Sequence, residues 1–263
     1  MALSKKKLDK YFVFHVNRTK NYVVLILIII ITVIPLIGYS TNQYLPTDTV
    51  KTSKGDLEIQ IIGHCFFYFR FNKINIYVDP LSNLGDISQR PKADIILITH
   101  DHRDHLNVDA IKTLSKPGTK ILISKSCISK IKCGQVLENN MQVIINDIYI
   151  KAVPAYNTVH LRPDNIPYHI KGEGNGYFLV FGDKTVYISG DTEYIDEMRF
   201  FMKPDIAFIT VMMPFTMDED MCLKSVKKLT PKIVYLLSFN IDKESLKARI
   251  HEALPTISIR TPY

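Results

Sequence analysis

Three histidines and two aspartates fall within six consecutive residues, His100-Asp101-His102-Arg103-Asp104-His105, directly after the apolar run of residues 94–99. Few folds accommodate such a cluster, because so many imidazole and carboxylate groups side by side need water or a shared cation. The preceding run reads as a strand, and the residues after Asn107 read as a helix, so the cluster sits at a strand end, where rigid scaffolds carry functional groups. At i and i+2 of an extended turn, His100 and His102 can aim their rings the same way and share one cation. Asp104 and His105, at the turn into the helix, can hold a second. Imidazole plus carboxylate is the donor set of Zn²⁺, with Mn²⁺ or Fe²⁺ as alternatives. A histidine-rich solvated loop is the competing explanation, and the strand-end position speaks against it.

Nearly half of the 263 residues are apolar, enough for a full hydrophobic core. The formal net charge of +7 resembles a nucleic-acid signal until it is located. Residues 1–20 hold Lys5, Lys6, Lys7, Lys10, Arg18 and Lys20 against Asp9, a net of +5, which leaves +2 for the rest. The excess belongs to the tail, and no nucleic-acid partner is expected. Cys65, Cys127, Cys133 and Cys222 form no C-x-x-C pair and read as buried free thiols. A bridge between Cys127 and Cys133 is the alternative in an oxidising compartment.

The basic tail, residues 1–21, precedes an uncharged stretch at residues 22–39, YVVLILIIIITVIPLIGY. At ~1.5 Å per residue it reaches ~27 Å, close to the thickness of a bilayer's hydrocarbon core. It exceeds a signal-peptide core of ~7–15 residues, and no A-x-A site follows, so a single transmembrane anchor is expected over a cleaved signal. The cationic side places the amino terminus in the cytoplasm and the remainder outside it. Residues 40–54, with Pro46, read as a polar linker, and residues 55–263 as one globular domain.

Within that domain, strand-like runs LEIQIIG, CFFYFRF, INIYVD and DIILIT come first, then a helix at 108–115 capped by Asn107. KILIS, QVIIN, IYIKAVPA, GYFLVF and TVYISG follow as strands. The last third alternates a helix at 194–202, the strand DIAFITV, a helix at 218–229 and the strand KIVYLLS. Thr216-Met217-Asp218-Glu219 has the form of a capping box. Antiparallel strands followed by strand–helix alternation imply helices packed outside two facing sheets.

A second chemical element is Ser189-Gly190-Asp191-Thr192, where a carboxylate after a glycine can reach into a cleft and bridge two ions. Alone, Asp191 reads equally as a helix cap. Beside the histidine cluster, the metal role is the better reading.

The H-x-H-x-D-H cluster and distant G-D-T resemble the metallo-β-lactamase superfamily. The chain is more similar still to its exported, lactonase-like branch. That likeness rests on Gly63-His64, Tyr77-Val78-Asp79-Pro80, Pro154-Ala155-Tyr156-Asn157, His169-Ile170-Lys171-Gly172, Gly174-Asn175-Gly176-Tyr177, residues 186–193 and Pro214-Phe215-Thr216-Met217. The resemblance runs from about Leu57 to the end. It implies an α/β fold, an αββα four-layer sandwich, with His100 and His102 on one metal position, Asp104 and His105 on the other, and Asp191 bridging. It also implies one or two Zn²⁺ ions and a metal-activated hydroxide, oriented by Asp104, attacking an ester, lactone or phosphodiester.

Two departures qualify the transfer. Asn157 stands where many members have a metal-binding histidine, which leaves its amide as a weak ligand or as a hydrogen-bond partner of one, and makes His160 and His169 candidates for a metal or substrate contact against a surface or hydrogen-bonding role. Ser238, in Tyr235-Leu236-Leu237-Ser238-Phe239, replaces the final histidine. Serine is a poor ligand for a divalent cation, so the second position is expected to be weakened. A metal-dependent hydrolase of a small-molecule or lipid-derived substrate is the leading expectation. The alternative is a membrane-tethered, catalytically degenerate binding protein of the same fold.

Overall fold

The computed structural model describes residues 48–262. The expected basic tail and the apolar stretch at residues 22–39 lie outside them. Among the described residues, no helix is long and apolar enough to cross a membrane.

Two seven-stranded sheets face each other. The first runs in sequence order: β1 (Asp48–Thr52), β2 (Gly55–Gly63), β3 (Phe66–Phe71), β4 (Ile74–Val78), β5 (Ile95–Ile98), β6 (Lys120–Ile123) and β7 (Gln135–Val136). The second comprises β8 (Gln142–Ile145), β9 (Ile148–Ala155), β10 (Gly174–Phe181), β11 (Lys184–Ile188), β12 (Ile206–Met212), β13 (Ile233–Phe239) and β14 (Ser258–Arg260). Each sheet begins antiparallel and turns parallel, at β4–β5 in the first and β11–β12 in the second. The parallel switch places several strand carboxyl ends along one edge, where side chains from both sheets can meet.

The sequence explains why both faces of these sheets are covered. In β3, Phe67, Phe69 and Phe71 point into the inter-sheet core, while Phe66 and Tyr68 point outward beneath helix α1 (Val108–Leu114). A strand buried on both faces reads as a continuous apolar run rather than an alternation. The rings of Phe67 and Phe208 lie 4.9 Å apart across the sheets, so the core closes on aromatic contacts worth about 0.5–1.5 kcal/mol per pair beyond area burial. On the far side, helices α2 (Glu219–Leu229) and α3 (Lys243–Ala253) cover the second sheet through Cys222, Val226, Leu246 and Ile250. The result is the expected sequence of layers: helix, sheet, sheet, helix.

Several local expectations need correction. Asp48–Thr52, assigned to the linker, is an edge strand paired with β2 through Val50↔Leu57 and its neighbours. The segment at 194–202 is only a short 3₁₀ turn, Asp196–Phe200. The capping box does not form, because Thr216 Oγ1 accepts from Met212 N. Asp218 caps α2 instead, accepting from Met221 N at 2.7 Å. Asn107 does cap α1. Cys127 and Cys133 are both free, and Cys133 is exposed.

Candidate metal centre

The site is assembled where β4, β5, β9 and β11 end and β10 begins. β4 runs into Asp79, whose N–H donates to Leu97 O and whose left-handed φ of 45° turns the chain into Pro80. β5 runs through Thr99 into His100. The two sheets are tied together here by Asn175 N donating to Thr99 O at 2.8 Å. β11 ends at Ser189 and Gly190. Glycine is required at 190, since φ is +59° and a Cβ would lie 2.5 Å from Asn175 O. That close passage delivers the Asp191 carboxylate to the histidine cluster.

Asp191 Oδ2 lies 3.5 Å from His169 Nε2, 3.6 Å from His105 Nε2 and 4.0 Å from His100 Nε2. His169 Nε2 is also 3.2 Å from His102 Nδ1. Two overlapping triads result, His100–His102–His169 and His100–His105–Asp191. The ligand atoms within each lie within 4.8 Å of one another. The structure thus gathers His100, His102, His105 and Asp191, and adds His169 to them. Asp104 is not in either triad. Its half-exposed carboxylate lies 3.2 Å from His64 Nε2, and that contact holds its pKa well below the usual carboxylate range.

The surrounding hydrogen bonds fix where the imidazole lone pairs point. Asp79 accepts from Thr99 N, from Thr99 Oγ1 and from His105 Nδ1, the last at 2.8 Å. With its proton given to Asp79, the Thr99 oxygen accepts from His100 Nδ1 at 3.0 Å. One buried carboxylate therefore orients two histidines and leaves both Nε2 atoms facing Asp191. Burial holds His100 well below the ordinary histidine pKa and brings His169 down to about 4. Burial also lowers His105, but the Asp191 and Asp79 carboxylates outweigh it and push its pKa up to about 9.

Asn157 acts on His169 rather than on a cation. Its Nδ2 donates to Glu193 Oε1 and Phe215 O, both at 3.0 Å, and its Oδ1 accepts from His169 N and Nδ1. Its hydrogen-bonding capacity is spent, so of the two roles left open for it, weak ligand or hydrogen-bond partner of a ligand, the geometry has the second. His160 is drawn away by Glu193, 2.8 Å from its Nδ1. Glu193 escaped the sequence reading. Fully buried, it also accepts from Thr158 N, Val159 N and His160 N, pinning the loop that carries Asn157. The available signal was its place in the strand-end motif of residues 186–193.

The residues fit a divalent cation on an observation independent of their pattern: among the described residues, buried His100 Nε2, His105 Nε2 and Asp191 Oδ1 have no hydrogen-bond partner. Buried polar groups are normally satisfied, so convergent orphaned donors of this kind imply a ligand between them. Beside them opens a cleft of about 320 Å³, lined by His100, His102, His169, Ser126, Tyr168 and Arg162 among others.

A four-layer αββα sandwich that gathers imidazoles and a carboxylate at one shared sheet edge is the architecture of the metallo-β-lactamase class. The family profile described as "Beta-lactamase superfamily domain" matches residues 58–237, and the chain belongs to this superfamily. A UPF0173 metal-dependent hydrolase of Pyrococcus horikoshii is 30% identical over 198 residues, covering 70% of this chain and 85% of the relative. Among solved structures, a putative metal-dependent hydrolase from Parabacteroides distasonis is 37% identical. It covers 83% of this chain and 98% of its own, with a TM-score of 0.77. Igni18, a metallo hydrolase from Ignicoccus hospitalis, shares the fold at 22% identity and a TM-score of 0.61, over 78% of this chain and 94% of its own.

Proposed function

We propose that the chain is a metal-dependent hydrolase acting on an ester, lactone or phosphodiester, with His100, His102, His105, His169 and Asp191 holding the cation or cations. The observation that carries this reading is the convergence of buried, unpartnered Nε2 and carboxylate oxygen atoms at the sheet edge. A bound divalent cation supplies Lewis acidity and lowers the pKa of water from ~15.7 towards ~7. Imidazole and carboxylate donors favour Zn²⁺, with Mn²⁺ or Fe²⁺ as alternatives.

The chain's own residues do the remaining work. Asp79 and Asn157 fix the tautomers of His105 and His169, and Asp191 presents one oxygen to three imidazoles. Arg162 lines the cleft, and among the described residues it has no carboxylate ion-pair partner, whereas Asp101 and Glu173 are matched by Lys130 and Lys125. A guanidinium so placed favours a negatively charged substrate, and of the three classes the phosphodiester fits best. Ile170, half-exposed on the same cleft, suits a substrate with an apolar portion. With residues 22–39 as an anchor and the amino terminus cytoplasmic, the domain works outside the cytoplasm on a lipid-derived or other small substrate.

The test is elemental analysis of the purified full-length chain, with turnover of bis(p-nitrophenyl) phosphate and p-nitrophenyl acetate before and after chelation. Bound metal with chelator-sensitive turnover is expected. A chain that binds no ion, or turnover indifferent to chelator, overturns the reading. Bound metal without turnover of either substrate favours the degenerate binding protein, for which the loss of the late histidine at Ser238 is the motive.

A further inference from the structure

β13 ends without an imidazole. Ser238 is buried there, in register with Val211, its Oγ without a hydrogen-bond partner among the described residues and too short to reach a cation from the strand end. The next residue, Phe239, packs its ring 5.1 Å from the ring of His64, which comes from the opposite sheet. β2 makes this possible. Its register shifts between Ile61 and Gly63, and the chain then takes φ of +158° at Gly63 and +46° at His64. A bulge of this kind re-aims a side chain at the sheet rim. The His64 ring is turned against His105, centroid to centroid 5.1 Å and edge-on.

We infer that His64 completes the second cation position, with Asp104, His105 and Asp191, in place of the imidazole that β13 lacks. The inference rests on the metal-centre reading above. Ligand atoms that share a cation at ~2.0–2.2 Å lie about 3–3.5 Å apart. His64 Nε2 is 3.2 Å from Asp104 Oδ2, and His105 Nε2 is 3.6 Å from Asp191 Oδ2. A His64–Asp104 pair alone leaves His105 Nε2 and Asp191 Oδ1 unsatisfied among the described residues, and because ligand atoms of His64 and His105 lie within 4.8 Å of each other, a cation taken between those two rings would link the His64–Asp104 pair to the His105–Asp191 pair. Cys65 also lies within 4.8 Å of ring nitrogens of His64 and His105. Its thiol is fully buried and paired with Thr210 Oγ1 at 3.7 Å, which leaves the imidazole as the donor.

The experiment is cobalt(II) titration of the full-length, metal-stripped chain and two variants. His64→Asn suits the left-handed backbone at 64, and the second variant adds Ser238→His to it. The wild type is expected to take two ions per chain. The single variant should take one tightly and bind the second at least about a hundredfold more weakly, beyond the ~10–100-fold typical of losing an outer partner. The double variant should regain the second ion. In the proton spectrum of the cobalt-loaded chain, His64→Asn should delete one exchangeable, hyperfine-shifted imidazole N–H signal. Unchanged affinity in the single variant, a full set of those signals, or failure of Ser238→His to restore binding each overturns the inference. A wild type that takes only one ion overturns it as well, and a wild type that takes none overturns the metal-centre reading itself.

Discussion

Asn157 Oδ1 lies 2.8 Å from His169 Nδ1, and the amide cannot turn over, because its Nδ2 already donates to two pure acceptors, Glu193 Oε1 and Phe215 O. The proton on Nδ1 is thereby set, and with it the lone pair on Nε2 that faces His102 and Asp191. An amide at the position where a metal-binding histidine was expected thus serves the same centre one bond further out.

Asn157→Leu should therefore act twice. It strands the Phe215 carbonyl and the backbone and ring N–H groups of His169, each at about 1–3 kcal/mol, while Glu193 keeps its donors from Thr158, Val159 and His160, so a thermal or denaturant melt should show a loss of several kcal/mol. Metal affinity should fall about 10–100-fold as His169 loses its orientation. A variant with wild-type metal affinity, measured below its melting range, would show that the tautomer lock is dispensable.

Gly190→Ala tests how Asp191 is delivered. The added methyl meets Asn175 O at 2.5 Å, and Asn175 is itself held by Thr99 O, so neither partner can retreat cheaply. Left-handed backbone strain of about 1–3 kcal/mol comes on top. Reduced stability together with weakened metal binding is expected, and stability loss with intact metal binding would mean that Asp191 reaches the cluster independently of this turn.

The metal-free protein should be most stable near pH 6.5. His105 is raised from about 6.5 to about 9, so its contribution is complete below ~6.5 and lost as pH climbs through ~9. His169, lowered to about 4, and His100, held well below the ordinary histidine value by burial, contribute when neutral. Their share is present above ~6.5 and lost as pH falls towards ~4. Denaturant midpoints in chelator across pH 4.5–9 should trace a maximum. Metal should flatten the alkaline limb, because a cation then takes the place of the His105 proton. A steady rise through pH 9 in chelator would contradict these assignments.

Much of this was legible from residue order. The apolar runs marked the central strands because both faces of each sheet are covered, and the H-x-H-x-D-H and G-D-T segments marked strand ends. β1 escaped because only Val50 of its five residues packs on the core. α3 escaped because Leu246 and Ile250 are its only buried side chains, too few to show a helical stripe. The competition between Thr216 and Asp218 for the cap was decided by Met212, which took the threonine hydroxyl. Among Asn157, His160 and His169, the choice of the residue that joins the cluster depended on Glu193, far along the chain and visible only once folded.

Asp79→Asn offers the sharpest test of the orienting network, since it changes one atom and almost no volume. The carboxylate accepts from Thr99 N on one oxygen and from Thr99 Oγ1 and His105 Nδ1 on the other. An amide that keeps its oxygen towards Thr99 N must aim an NH₂ at His105 Nδ1, forcing that nitrogen to accept. The His105 proton then moves to Nε2, the atom that faces Asp191, and no lone pair remains there for a cation. Thr99 Oγ1, no longer donating to residue 79, is released to donate to His100 Nδ1, which turns that ring the same wrong way. The fold should persist, with metal affinity down about 10–100-fold at both positions by competition titration. If Asp79→Asn binds metal like the wild type, the lone pairs of His100 and His105 are set by something other than this shared carboxylate.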